Sequence, residues 1–519
     1  MSSSSSSHRW LITVSVLTGT IMAVLDASIV NVALPDMSGS LGASTTEITW
    51  VIAGYMLANV VIMPIIALLS ERFGRKNFYI ANIVIFTGAS MLCGLARSLP
   101  LMVAFRILQG IGGGVLMTVS QAILRETFPP EEQGLAMGIY GMGVVVAPAI
   151  GPTLGGYLTD TYSWPWIFFI NVPIGILCVL LVGRFVHDPP YLARGKGAID
   201  WPGLAFMTVG LGSLQLVLEQ GAEKDWFAST WIAGLAVAAA IGLVLFVWRE
   251  LRTDRPAVDL RLLKNVPFSS ATFLGGILGM GLYGSLFILP LFLQRLLGYS
   301  AMESGLALAP RSITMAVVMP LSGFLYNRLG PRVLVATGLA VSAYSFYQFT
   351  HLSLDTSAGA ILIPQIWQGV GFGLIFVALS TAALTNLPRE RVTAGAGLYN
   401  VVRQVFGSVG IAMAATQIST GTSRYHDILA AQVHPYSEAT RQWLAGATAG
   451  FRSVSVDSLE AARRALVMLD QTVLAQATVM AYNHVFLLVA VSFAVAIPLA
   501  FFLRGHGAGD QTKAVPVEA

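Results

Sequence analysis

Charge is scarce in this sequence. Asp, Glu, Lys and Arg make up 11% of 519 residues, where soluble domains carry roughly 25%, and 55% of the residues are hydrophobic. With a mean hydropathy of +0.72, this excludes a water-soluble globule and indicates an integral membrane protein. Cysteine is almost missing: Cys93 and Cys178 both fall in apolar runs, which argues against a disulfide and leaves two inert thiols. The signatures of ATP and hydrolytic chemistry are absent too, with no GxxxxGK(S/T) loop, no HExxH and no GxSxG. ATP-driven pumping and enzymatic hydrolysis therefore lack their residues, and neither a cofactor nor a metal is expected. The net charge of +4 reflects basic loops, so no nucleic-acid partner is read into it.

What is present is a series of apolar runs of membrane-spanning length, about 18 residues or more. Spans 1 to 14 fall at 10–34, 48–70, 78–97, 101–123, 135–158, 166–187, 201–219, 229–248, 268–293, 304–326, 333–351, 359–385, 394–418 and 480–503. An even number puts both termini on one side. Of the 30 Lys and Arg, 19 lie in tails and loops on that side and three in the short loops opposite, so both termini are expected in the cytoplasm. The first run is too long for a signal-peptide core and reads as an uncleaved span behind a low-complexity serine tail.

Asp26 is the only carboxylate placed well inside such a run, where an ionised group costs at least ~2.5 to 3.5 kcal/mol. It marks a functional site by default; a quiet helix cap or ion pair is the alternative. Arg106 enters span 4 to a depth of roughly 9 Å, and Asp26 lies roughly 13 Å below the outer end of span 1. At that depth Arg106 either pairs with Asp26, directly or through water, or snorkels to the headgroups. The adjacent Gln109 and glycines favour a closely packed polar interface.

Two stretches return later in the chain. Ser70-Glu71-Arg72-Phe73-Gly74-Arg75-Lys76, between spans 2 and 3, is echoed between spans 10 and 11 by Tyr326-Asn327-Arg328-Leu329-Gly330-Pro331-Arg332, 256 residues on. Arg106 to Gly114 in span 4 is echoed by Gln365 to Gly373 in span 12, 259 residues on. Parallel repeats are a known transporter plan with the site at the repeat interface. The chain then divides into a tail 1–9, a six-helix bundle 10–200, an inserted pair 201–250, a second bundle 251–503 with a long outer segment 419–479, and a tail 504–519.

Pro148, Gly151, Pro152, Gly155 and Gly156 make span 5 either a bent helix able to pack in two ways or a tolerated irregular one. Arg311 in span 10 and Arg403 in span 13 need a cavity or a partner. His484 can titrate near neutrality, or be structural. In the outer segment Asp457 and Glu460 have capping-box spacing; a lid or docking surface and a plain amphipathic hairpin both fit. Val258, Leu260, Leu262 and Leu263 among the charges of 249–264 suit a segment lying along the membrane surface.

With these residues in view, the chain resembles the major facilitator superfamily over essentially its whole length. Within it, the likeness is to the fourteen-span drug:proton antiporters of the EmrB/QacA type. Leu25 to Pro35 is similar to that family's LDxTxVNVALP, with Ser28 for threonine, and Ala67 to Lys76 is similar to GxLaDRxGRK, with Ala67 for glycine and Glu71 for aspartate. Span 4 carries RxxQGxG. Span 5 ends in GPxxGG, with Ala147 where glycine is usual. Asn171 to Gly175 and Leu398 to Gln404 are further similar stretches.

The resemblance implies an all-α fold of two six-helix bundles and an inserted helix pair. It gives proton coupling to Asp26 and Arg106, an inner gate to Glu71, Arg72, Gly74 and Arg75 with Asn327 and Arg328 of the echoed loop, and a hinge to Pro148 through Gly156. His484 stands where an acidic residue is often found. The EmrB branch implies a bacterial inner membrane, a periplasmic adaptor (a membrane fusion protein) and an outer-membrane channel, with 419–479 as a docking surface.

The expected function is proton-coupled efflux of hydrophobic or cationic compounds by alternating access. Spans 1, 4, 9 and 12 would line the cavity, with Asn31, Gln109, Met117, Tyr283, Phe287, Trp367, Gln368, Phe376 and, from span 13, Arg403 facing substrate. Plain helix packing is an equal reading for the aromatics and methionine. A dedicated exporter of one metabolite, siderophore or antibiotic is the alternative, and a non-transporting membrane sensor the distant one.

Overall fold

The computed structural model describes residues 6–44, 47–188, 200–253, 256–385, 387–434, 436–453 and 457–503. The C-terminal tail, part of the N-terminal tail and most of the 187–200 connector lie outside the described residues. Within them every regular element is helical, and 13 helical runs are long and apolar enough to cross a membrane. One of these, Met302–His351, has 50 residues, about 75 Å of helix against a hydrocarbon core of about 30 Å. It breaks at Gly330, where φ is 71° and ψ 165°, so it holds spans 10 and 11 and the crossings number fourteen.

Gly74 does the same between spans 2 and 3, with φ 83° and ψ 139°. The two loops that echo in sequence therefore share a backbone turn that residues with a Cβ adopt only under strain. Gly330→Ala is expected to cost about 1 to 3 kcal/mol, read as a lower thermal midpoint of the purified protein. Gly88→Ala, at an open helical position with nothing within 4 Å, should leave the midpoint unchanged or raise it.

Arg72, Arg75, Lys76, Arg328 and Arg332 surround these turns, which mark the basic end of the molecule. There spans 5 (Pro130–Thr161) and 10 meet backbone to backbone: a Cβ on Gly134 would strike the carbonyl of Gly323, and the reverse. Toward the opposite end, span 5 leans on its own bundle, with Gly151 against the Ser28 hydroxyl and Gly155 against Ile29. One helix thus touches the other bundle at one end and the Asp26 helix at the other.

The inserted pair, Trp201–Gln220 and Thr230–Arg252, packs together where Gly210 faces Gly242. It is tied to span 13 by Gln215 Nε2 donating to Ser408 Oγ (2.9 Å) and Trp226 Nε1 donating to Thr416 Oγ1 (2.9 Å). Gln215 also bonds Glu219 at 2.6 Å, a carboxylate on the last turn of span 7.

Three expectations are corrected here. The described residues of 419–479 are less a loop than helices running on from the bundle: Val392–Ala430 has 39 residues, about 58 Å, and Glu438–Arg452 packs on Ser458–Ala496. The Asp457 side chain accepts no cap hydrogen bond, and the Glu460 side chain is held by Arg464 at 2.9 Å rather than reaching back to the helix start; a capping box forms at Ser300 and Glu303. Val258 and Leu262 are buried, Val258 beside Met207 and Phe246 of the inserted pair, so these two side chains fold onto protein, while Leu260 is half-buried and Leu263 exposed.

Candidate functional site

Asp26 sits in span 1 (Ser7–Leu41) with no solvent exposure, held by donors from two other helices. Arg106 Nη1 donates to Oδ2 at 2.6 Å, while Gln109 Nε2 and Asn171 Nδ2 donate to Oδ1 at 2.8 and 2.9 Å. Arg106 is itself fixed: Nη1 also reaches Gln109 Oε1 (2.7 Å), Nε donates to the Val51 carbonyl (3.1 Å), and the guanidinium lies 4.3 Å over the Tyr55 ring. Asn171 Nδ2 also donates to Ser90 Oγ at 3.0 Å.

Local sequence explains the convergence. Arg106 and Gln109 are one turn apart on span 4 and face the same neighbour. Gly110 lets that helix settle on the Tyr55 backbone carbonyl. Arg106 is 1% exposed, so it turns inward and does not snorkel. The result is one ionisable carboxylate sealed from water, with its countercharge and two amides already oriented. Such an array can take up one proton, and doing so cancels the charge that Arg106 faces and turns one of the two carboxylate oxygens from acceptor to donor.

Arg75 joins the halves at the basic end, pairing with Glu126 of its own bundle and donating from Nη2 to Thr393 Oγ1 (3.0 Å) of the other. Asn327 donates to the Glu131 carbonyl, Arg125 Nη2 to the Thr385 carbonyl (3.3 Å), and Asn400 Nδ2 to Gln121 Oε1 (2.9 Å). Glu71 and Arg72 are exposed, and Arg328 is exposed above Phe324 of its own helix. At the other end Ile150 and Tyr157 of span 5 are 50% and 59% exposed. The molecule is closed at its basic end.

The candidate cavity residues disperse. Gln109 belongs to the Asp26 cluster and not to a cavity wall. Trp367 is 41% exposed, edge-on to the exposed Tyr344, among exposed Ile363 and Ile366 on the outside of the bundle. Gln368 is fully buried and accepts from Arg311 Nη1 (3.3 Å). Arg403 lies 5.2 Å over the buried Phe376 ring and 5.7 Å from that of Tyr399. Tyr283, Phe287 and Met117 are half-buried, whereas Asn31 and His484 are exposed. Pro148 is half-buried and Pro152 exposed; Gly151 and Gly155 are buried against span 1, and Gly156 is half-buried beside Val32.

Fourteen crossings in two six-helix bundles, the first of which encloses a sealed ion pair, are the architecture of a polytopic secondary transporter. The chain belongs to the Major Facilitator Superfamily, whose family model matches residues 16–411. Among its relatives, the fatty acid resistance protein FarB of Neisseria gonorrhoeae is 35% identical over 95% of this chain and 96% of that protein. The multidrug export protein EmrB of Escherichia coli K12 is 36% identical over 82% of this chain and 83% of that protein. The solved structure of the human organic anion transporter MFSD10 (TETRAN), 14% identical, shares the fold with a TM-score of 0.60 over 93% of this chain and 99% of that one.

Proposed function

We propose that this protein is a proton-driven exporter of amphiphilic and hydrophobic compounds in a bacterial inner membrane, with both termini and the basic end in the cytoplasm. The observation that carries the reading is Asp26, a titratable group sealed beside Arg106 in a molecule gated at one end. A proton arriving from outside neutralises Asp26 and loosens the grip of Arg106, Gln109 and Asn171 on span 1. Span 1 bears on Gly151 and Gly155, so its shift travels along span 5 to the Gly134–Gly323 contact and opens the cytoplasmic gate. Substrate entering from the cytoplasm leaves outward after the proton is released inward, and each inward charge contributes ~2.3 kcal/mol per 100 mV.

The names of EmrB and FarB, multidrug export and fatty acid resistance, support export and leave its breadth to experiment. A dedicated exporter of one compound is the second reading. The helices beyond span 13 offer a surface for a periplasmic adaptor leading to an outer-membrane channel. Inverted vesicles energised with a proton gradient and offered unrelated cationic, neutral and anionic amphiphiles test the proposal. Accumulation of several, abolished by a protonophore, is expected. Accumulation of a single compound would favour the dedicated exporter, and none at all would sink both readings.

A further inference from the structure

The second bundle holds a buried arginine that proton coupling does not use. Arg311 of span 10 is 2% exposed, and its position 11 residues after Ser300 puts it about 16 Å along the helix, near mid-membrane. Its Nη1 donates to Ser285 Oγ of span 9 (2.9 Å) and to Gln368 Oε1 of span 12 (3.3 Å). No carboxylate among the described residues pairs with it. Gln368 Nε2 bonds to nothing, and neither do the two amide atoms of Gln365, one turn earlier on span 12, although both residues are 0% exposed.

The repeat gives this cluster its meaning. Ser285 stands 259 residues after Asp26, Gln368 259 after Gln109, and Gln365 259 after Arg106. Arg311 stands 256 residues after Tyr55, the ring beneath Arg106, and the two loop glycines differ by the same 256. The cluster is the duplicate of the Asp26 site, with the arginine moved to another helix and the carboxylate replaced by a hydroxyl. In the first bundle the countercharge of the guanidinium is part of the chain. In the second, two neutral acceptors return less than a guanidinium loses on leaving water, and its forked donors match a carboxylate. Leu282, Ile288 and Leu289 on the Ser285 face of span 9, and Met315 one turn along span 10, are apolar. A ligand reaching this charge must bring apolar surface with it.

We propose that Ser285, Arg311, Gln365 and Gln368 receive the carboxylate of an anionic amphiphile, which makes monocarboxylates with an apolar body a substrate class of this exporter. The inference rests on the export reading and adds the substrate class to it. Three probes with one apolar body test it in the energised inverted vesicles: pyrenebutyrate, pyrenebutanol and pyrenebutyl-trimethylammonium. The wild type should accumulate pyrenebutyrate, and Arg311→Gln should lower that by at least about tenfold, the scale of one charge-assisted hydrogen bond, while the ammonium probe still accumulates. Arg311→Lys, which keeps the charge, should retain part of the pyrenebutyrate signal.

A uniform loss of all probes in both variants would make Arg311 purely structural and overturn the proposal, as would an unchanged Arg311→Gln. Replacing chloride by methanesulfonate, which carries no carboxylate, should leave wild-type pyrenebutyrate accumulation unchanged; a dependence on chloride would make an inorganic anion the occupant and overturn it too. Wild type moving the ammonium probe but not pyrenebutyrate sinks this inference and leaves export standing. Failure to move any probe sinks the export reading, and this inference with it.

Discussion

Asp26→Asn is expected to abolish proton-driven export and also to lower the thermal midpoint, and a second substitution should separate these two losses. Asparagine keeps an acceptor near Gln109 and Asn171 but carries no charge, so Arg106 is left at 1% exposure without its partner. Breaking one side of a buried ion pair costs about 3 to 5 kcal/mol, a large share of a marginal stability. Adding Arg106→Gln removes the orphan charge, so the double variant should regain most of the midpoint. It should regain none of the coupling, because nothing at that position can then bind a proton. If export returned along with stability, Asp26 would be a structural partner of Arg106 and nothing more.

Gly323→Val should cut export by at least about tenfold by holding the basic end open. The backbones of Gly134 and Gly323 touch directly, and the atoms that a new side chain would meet are main-chain carbonyls, which cannot swing aside. Inverting a conformational equilibrium from mostly closed to mostly open takes ~5.5 kcal/mol, a scale that a branched side chain forced between two helices can reach. Cysteines at Glu131 and Asn327, bonded neighbours across the closed gate, report the state. Their cross-link should form in the otherwise wild-type protein and fail with Gly323→Val. Gly183→Val, where nothing lies within 4 Å, should leave both cross-link and export intact.

Much of this architecture is legible in the residues. Hydropathy places the crossings because a helix in lipid must be apolar for about 20 residues, and Gly330 marks the turn between spans 10 and 11. Asp26 and Arg106 stand out because charge is expensive there. The uncharged members of the cluster do not stand out. Gln109 is one turn from Arg106, and that i, i+3 spacing was the available signal for grouping it with the pair. Asn171 sits in span 6 with no sequence relation to Asp26; only the packing of span 6 on span 1 joins them.

Facing is harder to read than spanning. Trp367 and Gln368 are adjacent in a run that is apolar on nearly every side, and such a helix gives no pattern separating lipid from interior. The Gly134–Gly323 contact is hidden for a related reason: small residues are common in membrane helices, and nothing in either sequence names its partner. The cluster around Arg311 lies between these cases. The arginine is conspicuous, and Ser285 follows from the 259-residue repeat once the Asp26 site is known in three dimensions.

The central claim, proton coupling through Asp26, is tested most directly in proteoliposomes that enclose a pH-sensitive dye, with wild type beside Asp26→Asn. A permanently charged amphiphile, which carries no proton of its own, is then added. The account predicts that it drives proton movement in the wild type and none in the variant across the pH range tested. Proton movement of equal size in Asp26→Asn would contradict it.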